Sequence, residues 1–394
     1  MKALIVSDRK FPHGNAGGVR ILNMALSLKE INFDAKVFSI GDEIILDGQV
    51  INQFQGVEFY NTPVNSRFKL FSIIKQYFLS GLLLSRALNR ELKNVSDNDV
   101  VIIYTTNLFF ALSCYFGLKR FKTKWWDVVE WFAFERFKFA YVNPKFWLYN
   151  LLFNNLYSKG SGVISISSYI RQHFELKNVK TVLYPSVCNF FDNPKMIPLS
   201  LNSSRHLELI YSGNPGHKER LDLMLRAVVE ANNLNNPRRI RLSFTGVSRK
   251  QVLAELCNKL SLKEAEVLLT NVNFYSWLEY DELIEVYRKK HFLFFLRDAS
   301  HENLCNFPTK LGEMMALGVV PLTNKIGDYG EYLDNSNSVL VDQLDITAIV
   351  ESLSSLTSFT DDSFRALSQG AIKTAKEELS FSAHSNSLAE LIKK

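Results

Sequence analysis

The chain has 394 residues, 47% of them hydrophobic and 22% charged, which indicates a folded protein too long for one hydrophobic core and about the length of two domains. Its net charge of +6 is spread along the chain without basic runs, so nucleic acid is not an expected partner. The four cysteines form no C-x-x-C pair, which predicts reduced thiols in a cytoplasm and no zinc site.

Short apolar runs alternate with helical stretches through the first half, as expected for parallel strands joined by crossover helices. The first run follows Lys2 and is too short for a signal peptide, and the longest, Phe78 to Leu88, is too short and too polar to span a membrane. We therefore expect a cytoplasmic protein. The predicted strands are LIVS, KVFSI, VVIIYT, DVVEW, GVISI and TVLYP.

A glycine-rich loop runs from Asp8 to Gly18, between the first strand and a helical stretch. Gly17 and Gly18 would let the backbone approach a ligand at a helix N-terminus. Six residues, Asp8 to His13, separate the strand from the first glycine of the loop. In the dinucleotide-binding fingerprint the first glycine directly follows the strand, so an NAD enzyme is disfavoured. A surface loop without a ligand is the alternative.

The segment from Trp125 to Tyr149 is rich in aromatic and basic residues. Asp127 and Glu130, at the end of a predicted strand, could reach a cleft between the domains. The aromatic residues fit either a buried core or a patch at a membrane surface. The amphipathic stretch from Phe68 to Leu92 allows the same two interpretations.

Composition changes near Pro185, where residues 191–206 become rich in Asn, Ser and Pro and predict a linker. The domains would then be residues 1–190 and 207–378. Residues 379–394 would form a helix that packs back toward the first domain. The strands predicted in the second domain are LELIYSG, IRLSFTG, VNFYSW, HFLFFL, VVPLTN and SVLVD.

The loop from Tyr211 to Arg220 joins the first strand of the second domain to a helix. Its Gly213 permits close backbone approach, and Lys218 and Arg220 bring positive charge to a helix N-terminus that already attracts anions. This combination is typical of diphosphate binding. Two solvated surface charges are the alternative.

The segment from His301 to Asn324 carries the most specific pattern in the chain. Pro308 suits a helix start, and Gly318 ends the helix before a buried strand. Lys310 and Glu313 share one face of that helix, where a lysine suits a phosphate and a carboxylate suits sugar hydroxyls. A capped helix with an incidental ion pair is the alternative.

The tripeptide Asp97-Asn98-Asp99 matches the D-x-D of metal-dependent transferases but precedes a strand. It therefore belongs to the amino end of the sheet, away from the expected site. We interpret it as a solvated turn and predict no metal and no cofactor.

Five segments in chain order resemble the family 4 type of glycosyltransferases, in the glycosyltransferase group 1 family. The resemblance implies the GT-B fold, an α/β fold with two Rossmann-like domains facing each other across a cleft. It also implies a metal-independent hexosyltransferase that uses a nucleoside diphosphate sugar of the UDP or GDP type, usually with retention. The segments are AGGVRILNMALSL, GVISISSYI, SGNPGHKERLDLMLRA, FPTKLGEMMALGVVPL and SFSAHSNSLAEL.

The resemblance also implies residue roles. Residues 1–190 would bind the acceptor and residues 207–378 the nucleotide sugar. Lys218 and Arg220 would neutralise the donor diphosphate, and Glu313 would hold the ribose. Apart from the resemblance, Asp127, Glu130 or His13 could lie near the acceptor hydroxyl, and Asp127 and Glu130 complete the candidate catalytic set. The expected donor-binding residues are Gly17, Gly18, Gly213, Asn214, Asn306, Phe307, Pro308, Thr309, Lys310, Leu311 and Glu313.

One position departs from the family pattern, because Cys305 stands where a first glutamate usually lies eight residues before the second. Glu302, Asn303 or Asn306 would have to take its place. The expected acceptor is a glycan or lipid-linked glycan in surface polysaccharide synthesis, at the inner face of the cytoplasmic membrane. A sugar-nucleotide epimerase and a non-catalytic sugar-nucleotide-binding protein remain alternatives.

Overall fold

The structure is a computed structural model. It describes residues 1–12, 16–41, 44–46, 49–63, 69–92, 94–132, 142–189, 200–203, 205–214, 218–275 and 277–392. The chain divides into two compact units, Met1–Val187 with Phe381–Lys394, and Cys188–Ser380. The sequence placed the linker at 191–206, much of which lies outside the described residues.

The first unit is a parallel sheet flanked by helices. Among the described residues, eight strands follow the order β10-β9-β8-β7-β1-β2-β6-β5, and only β5 is antiparallel to its neighbour. The strands are β1 (Lys2–Ser7), β2 (Asp34–Ile40), β3 (Ile44–Leu46), β4 (Gln49–Ile51), β5 (Gln53–Phe54), β6 (Val57–Thr62), β7 (Val100–Tyr104), β8 (Thr123–Val128), β9 (Gly162–Ser165) and β10 (Thr181–Leu183), with β3 and β4 forming a separate hairpin.

The helices of the first unit connect these strands. They are α1 (Ala16–Glu30), α2 (Lys69–Ile74), α3 (Ser80–Glu91), α4 (Leu108–Gly117), α5 (Pro144–Leu151) and α6 (Ser168–Glu175), with π-helical turns at Lys75–Leu79 and Leu152–Leu156. The tail forms a 3₁₀ segment, Ser385–Ile392, in place of the predicted α-helix. It belongs to the first unit, where Trp125 donates its indole N–H to the Leu391 carbonyl.

The second unit is a smaller sheet in which all described strands are parallel, in the order β13-β12-β11-β14-β15-β16. Its strands are β11 (His206–Ser212), β12 (Arg239–Thr245), β13 (Val272–Phe274), β14 (Phe292–Phe294), β15 (Val320–Thr323) and β16 (Val339–Leu340). Its helices are α7 (Leu221–Asn233), α8 (Arg249–Leu256), α9 (Leu262–Leu268), α10 (Tyr280–Tyr287), α11 (His301–Leu304), α12 (Thr309–Ala316), α13 (Ile346–Thr357) and α14 (Asp361–Glu378), with 3₁₀ turns at Leu201–Ser203 and Asp328–Tyr332.

Two Rossmann-like α/β units confirm the predicted fold class, and each predicted strand has a counterpart. The predicted strand DVVEW was placed too late, since β8 ends at Val128 and begins before the buried Trp125 and Trp126. Strand β6 was missed because its sequence, VEFYNT, has too few apolar residues to stand out. Of the helices that the structure describes, none is long and apolar enough to cross a membrane.

Candidate functional site

The predicted phosphate loop begins at the carboxyl end of β11. Gly213 has a φ of +114° and open space where a Cβ would lie, and Gly246 has a φ of +74° with its Cβ position 3.5 Å from the Gly213 Cα. Both backbones are in a region that favours glycine. Asn214 follows on the surface, and the next three residues lie outside the described ones. The backbone at Gly213, directly after β11, is therefore open to close approach by a ligand.

Lys218 lies beside a carboxylate from a distant part of the sequence. Its Nζ is 3.6 Å from Oε1 of Glu302, and the two side chains are only 21% and 18% exposed. Asn303 donates its side-chain amide to the carbonyls of Lys218 and Asp298, which fixes the loop to helix α11. Glu302 thus lies beside Lys218, the residue predicted to bind a phosphate. The side-chain amide of Asn303 already donates to two backbone carbonyls.

A buried ion pair that sequence reasoning missed anchors the same loop. Arg297 donates from Nη2 to Oε1 of Glu219 at 2.7 Å, and both side chains are almost fully buried. The Arg220 amide donates to the Leu296 carbonyl at 2.8 Å. Burial raises the pKa of Glu219, although Arg297 opposes that shift. Lys218 is therefore fixed by Asn303, which donates to its carbonyl, and by the ion pair of the next residue, Glu219, with Arg297. In the sequence, the only sign of this ion pair is the charge of Arg297 directly after the apolar run HFLFFL.

Arg220 is less available to a phosphate than the sequence suggested. Its guanidinium pairs with Asp222 and with Asp298, each at 3.1 Å. The hydrogen bond to Asp222 raises the pKa of Arg220 despite partial burial. Because two carboxylates already balance its charge, Lys218 is the stronger candidate for the diphosphate.

Helix α12 begins at Thr309, and Pro308 before it is the N-cap residue and provides no side-chain cap for the first amides. Within the helix, Lys310 Nζ lies 3.0 Å from Oε2 of Glu313. Glu313 is 1% exposed, and its Oε1 has no hydrogen-bond partner among the described residues. A buried carboxylate oxygen without a donor is costly, and a ligand hydroxyl would satisfy it.

Tyr287 connects this helix to the strand end. Its hydroxyl is hydrogen-bonded to the Ser212 hydroxyl. Burial alone would lower the pKa of Lys310, but nearby Glu313 and Tyr287 outweigh it and raise that pKa. Lys310 and Glu313 therefore belong to the same polar cluster as the end of β11, a link that the sequence did not reveal.

The loop before α12 is mostly structural. Phe307 is buried and packs edge-on against Tyr332. Cys305 is buried beside His301, with Sγ 3.6 Å from Nε2, and burial raises the pKa of its thiol. Asn306 remains partly exposed. Of these residues, Asn306 is the one best placed to meet a ligand through its side chain.

In the first unit, Asp127 is buried and paired. Arg20 donates to both of its carboxylate oxygens, at 2.7 and 2.9 Å, and to the carbonyls of Tyr184 and Pro185. A carboxylate held in this way favours a structural role over that of an acceptor base. Glu130 is partly exposed at the end of the same strand and stays a candidate.

Gly17 and Gly18 lie in the first turn of α1, not in a free loop. A Cβ on Gly18 would come within 3.1 Å of the Lys10 carbonyl oxygen and 3.3 Å of that of Pro12. Close packing of the loop against the helix therefore requires a glycine here. A role toward a ligand stays a prediction.

The D-x-D tripeptide lies at the amino end of β7, as predicted. Asp99 accepts hydrogen bonds from the backbone amides of Lys2 and Ser96, and Asp97 pairs with Lys122 at the surface. Asp97 and Asn98 form the predicted exposed turn, while Asp99 is buried and has a structural role. Among the residues described, no cluster of His, Cys, Asp or Glu could hold a metal ion.

Comparisons with known proteins place this geometry in context. Residues 198–374 match the family of Glycosyl transferases group 1. No curated protein matches the chain.

Solved structures similar to the whole chain include three that share only 12% of its sequence. Sucrose-phosphate synthase from Thermosynechococcus elongatus has a TM-score of 0.68 and covers 99% of this chain and 98% of its own. Anabaena HepE, in complex with UDP and glucose, has a TM-score of 0.66 with 99% of each chain covered. An α,α-trehalose-phosphate synthase (UDP-forming) from Burkholderia xenovorans, in complex with glucose-6-phosphate, has a TM-score of 0.67 with 100% of each chain covered. At this identity the likeness establishes the fold.

Proposed function

We propose that the protein transfers a sugar from a nucleoside diphosphate sugar to a glycan or glycolipid acceptor. The match of residues 198–374 to the family of Glycosyl transferases group 1, within a GT-B fold, supports this proposal. The observation that carries the proposal is the buried oxygen of Glu313 on α12, which has no hydrogen-bond partner among the described residues. In the loop after β11, Asn303 donates to the Lys218 carbonyl, and the neighbouring Glu219 forms a buried ion pair with Arg297.

Lys218 and the first turn of α12 suit a diphosphate, and Glu313 suits a ribose. Lys218, at the entry to α7, provides a fixed cation, and the uncapped first turn of α12 provides amide donors for phosphate oxygens. The free oxygen of Glu313 would accept a ribose hydroxyl, with Lys310 holding the other oxygen. Donor binding would then provide a hydrogen-bond partner for Oε1 of Glu313, which has none among the described residues.

Transfer requires the nucleoside diphosphate to depart while the anomeric carbon gains positive charge. A prepositioned cation stabilises the charge that develops on the leaving phosphate, and such groups each contribute roughly 100- to 1,000-fold in rate. Lys218 would provide this stabilisation, supported by the amides of α12. We propose transfer without a metal ion, since the D-x-D tripeptide lies at the amino end of the first sheet. We propose retention on the family resemblance alone.

The acceptor proposal draws on the surface of the first unit. From α2 through the π-helical turn to α3, five apolar side chains are exposed, and Arg86 and Arg90 are exposed on α3. Apolar and basic side chains together suit an anionic membrane surface. This arrangement supports a lipid-linked acceptor at the inner face of the cytoplasmic membrane. The apolar residues are Ile73, Ile74, Phe78, Leu79 and Leu82.

Thermal unfolding with UDP, GDP and their glucose conjugates tests the donor site. A ligand at 100 times its dissociation constant adds about 2.7 kcal/mol to the free energy of unfolding. We expect one nucleotide series to stabilise the wild type and the variant Glu351→Ala, whose change lies on the surface of α13, but much less the variant Glu313→Ala. Equal stabilisation of all three proteins, or of none, would contradict this donor site.

A further inference from the structure

Arg297 connects the ends of three neighbouring strands in the second sheet. It follows β14, which lies between β11 and β15. On one side, the side chain of Asn324, after β15, accepts a hydrogen bond from the Arg297 amide at 3.0 Å and donates one to its carbonyl at 2.9 Å. On the other side, Nε and Nη2 of Arg297 both donate to Oε1 of Glu219, in the loop after β11. The loop that carries Lys218 is therefore tied across the sheet as far as β15.

The ion pair of Glu219 and Arg297 is costly to bury. The two side chains are only 3% and 8% exposed, and Nη1 of Arg297 has no hydrogen-bond partner among the described residues. The rings of Phe295 and Tyr329 lie 5.5 and 5.9 Å from the guanidinium carbon, which fixes the orientation of that group. Two charges removed from water in this way often contribute less stability than apolar side chains of similar volume. A gain in stability therefore does not account for the pair.

The pair fixes the backbone next to Lys218. Glu219 is the residue after Lys218, and it forms an isolated antiparallel bridge with Arg297. The Arg220 amide donates to the Leu296 carbonyl at 2.8 Å, so the two backbone segments run side by side. A lysine ammonium is carried on a flexible stem, and a shift of the backbone at its base would move Nζ away from a bound phosphate. The ion pair therefore controls the point from which the Lys218 side chain extends.

We propose that Glu219 and Arg297 are positioning residues, which hold Lys218 in the place where it binds the diphosphate of the donor. The proposal rests on the proposed function. It assigns part of the affinity for a nucleoside diphosphate to a buried ion pair that acts through Lys218.

A double-mutant cycle of nucleotide binding tests this role. The paired change Glu219→Leu with Arg297→Met replaces both charges by apolar side chains of similar volume, and Lys218→Ala removes the cation through which the pair acts. The dissociation constants of UDP and GDP are measured for the wild type, for each change and for their combination. Calorimetry serves the tighter complexes and ligand-observed NMR the weaker ones, and urea denaturation reports the stability of each protein.

The matched control is another buried ion pair in the same unit. Nζ of Lys290 lies 2.9 Å from Oε2 of Glu208 at the amino end of the sheet, and the side chains are 4% and 12% exposed. The paired change Glu208→Leu with Lys290→Met should leave nucleotide binding within about twofold of the wild type. If the apolar pair at positions 219 and 297 does not fold, Arg297→Lys takes its place, because it keeps the charge but offers Glu219 one nitrogen instead of two.

We expect the apolar pair to bind UDP or GDP about tenfold more weakly than the wild type, and Arg297→Lys about threefold more weakly. In the Lys218→Ala background, either change should alter binding by less than about twofold, because the residue through which it acts is absent. A pair that only supports the fold would weaken binding equally in both backgrounds or not at all, and either result overturns the positioning role alone. A wild type that binds neither nucleotide overturns the proposed donor site, and the positioning role with it.

Discussion

Nζ of Lys218 lies 3.6 Å from Oε1 of Glu302, so the residue expected to bind the donor phosphate has a carboxylate neighbour. A diphosphate that binds Lys218 must outweigh this carboxylate. Variants of the two residues measure two effects independently. One is the contribution of the Lys218 cation to catalysis, and the other is the amount by which the Glu302 carboxylate weakens donor binding.

The first prediction concerns the cation. Lys218→Ala should lower the turnover number roughly 100- to 1,000-fold, because the developing charge on the leaving phosphate loses its partner. The fold should remain, since the side chain is partly exposed. The measurement is the initial rate of nucleoside diphosphate release, with Lys250→Ala on the surface of α8 as the control. Wild-type turnover in Lys218→Ala would remove this residue from the mechanism.

The second prediction concerns the partner. Glu302→Gln removes the competing charge and should tighten binding of the free nucleoside diphosphate up to about fivefold, as expected for a partly exposed ion pair of about 1 kcal/mol. Isothermal titration with UDP and GDP measures the change. Weaker binding would contradict this competition and would indicate that Glu302 itself holds the ligand.

Local sequence patterns predicted the parts of this site that lie within one turn of chain. The pair of Lys310 and Glu313 followed from helical spacing, and the glycine after β11 followed from the strand-to-helix transition. The contact of Lys218 with Glu302, and that of Glu219 with Arg297, depend on how β11 and β14 come together in the sheet. No local period encodes such a contact.

The first unit shows the same limit. Asp127 was correctly placed in a strand, but its partner Arg20 lies in α1, and a single sequence does not reveal that pairing.

The third prediction concerns the membrane surface. Replacing Phe78 and Leu82 with Ser should reduce sedimentation with vesicles of phosphatidylglycerol and phosphatidylcholine by at least tenfold in partition coefficient, because about 0.8 kcal/mol is lost per buried methylene. Replacement of the exposed Leu262, on α9 of the second unit, is the control. If the wild type ignores anionic vesicles, this surface is not a membrane contact.

The fourth prediction concerns the buried pair of Arg20 and Asp127. Asp127→Ala leaves an unpaired buried charge and should lower the free energy of unfolding by about 3–5 kcal/mol. Asp97→Ala, at an exposed pair, should change it by less than about 1 kcal/mol. Urea denaturation followed by circular dichroism measures both. A variant Asp127→Ala that keeps its stability but loses transfer would restore Asp127 as an acceptor residue.

The fifth prediction concerns pH and His291, which is fully buried at the start of β14 and accepts a hydrogen bond at Nδ1 from the Glu208 amide. Burial lowers the pKa of His291 from 6.5 to about 4, although Glu208 opposes the shift. Above pH 6.5 the imidazole is neutral in both folded and unfolded states. Between pH 6.5 and 4 only the unfolded chain takes up the proton, so stability falls as the pH falls.

The loss attributable to His291 should reach about 3 kcal/mol near pH 4 and then level off, because the folded protein also becomes protonated. Urea denaturation across pH 4–7 measures it. His291→Asn keeps an acceptor for the Glu208 amide and should flatten this part of the profile, whereas His206→Asn, at a partly exposed position, should retain it. A wild-type profile that His291→Asn leaves unchanged would show that other groups control the acid sensitivity, since the buried imidazole would then carry no proton linkage.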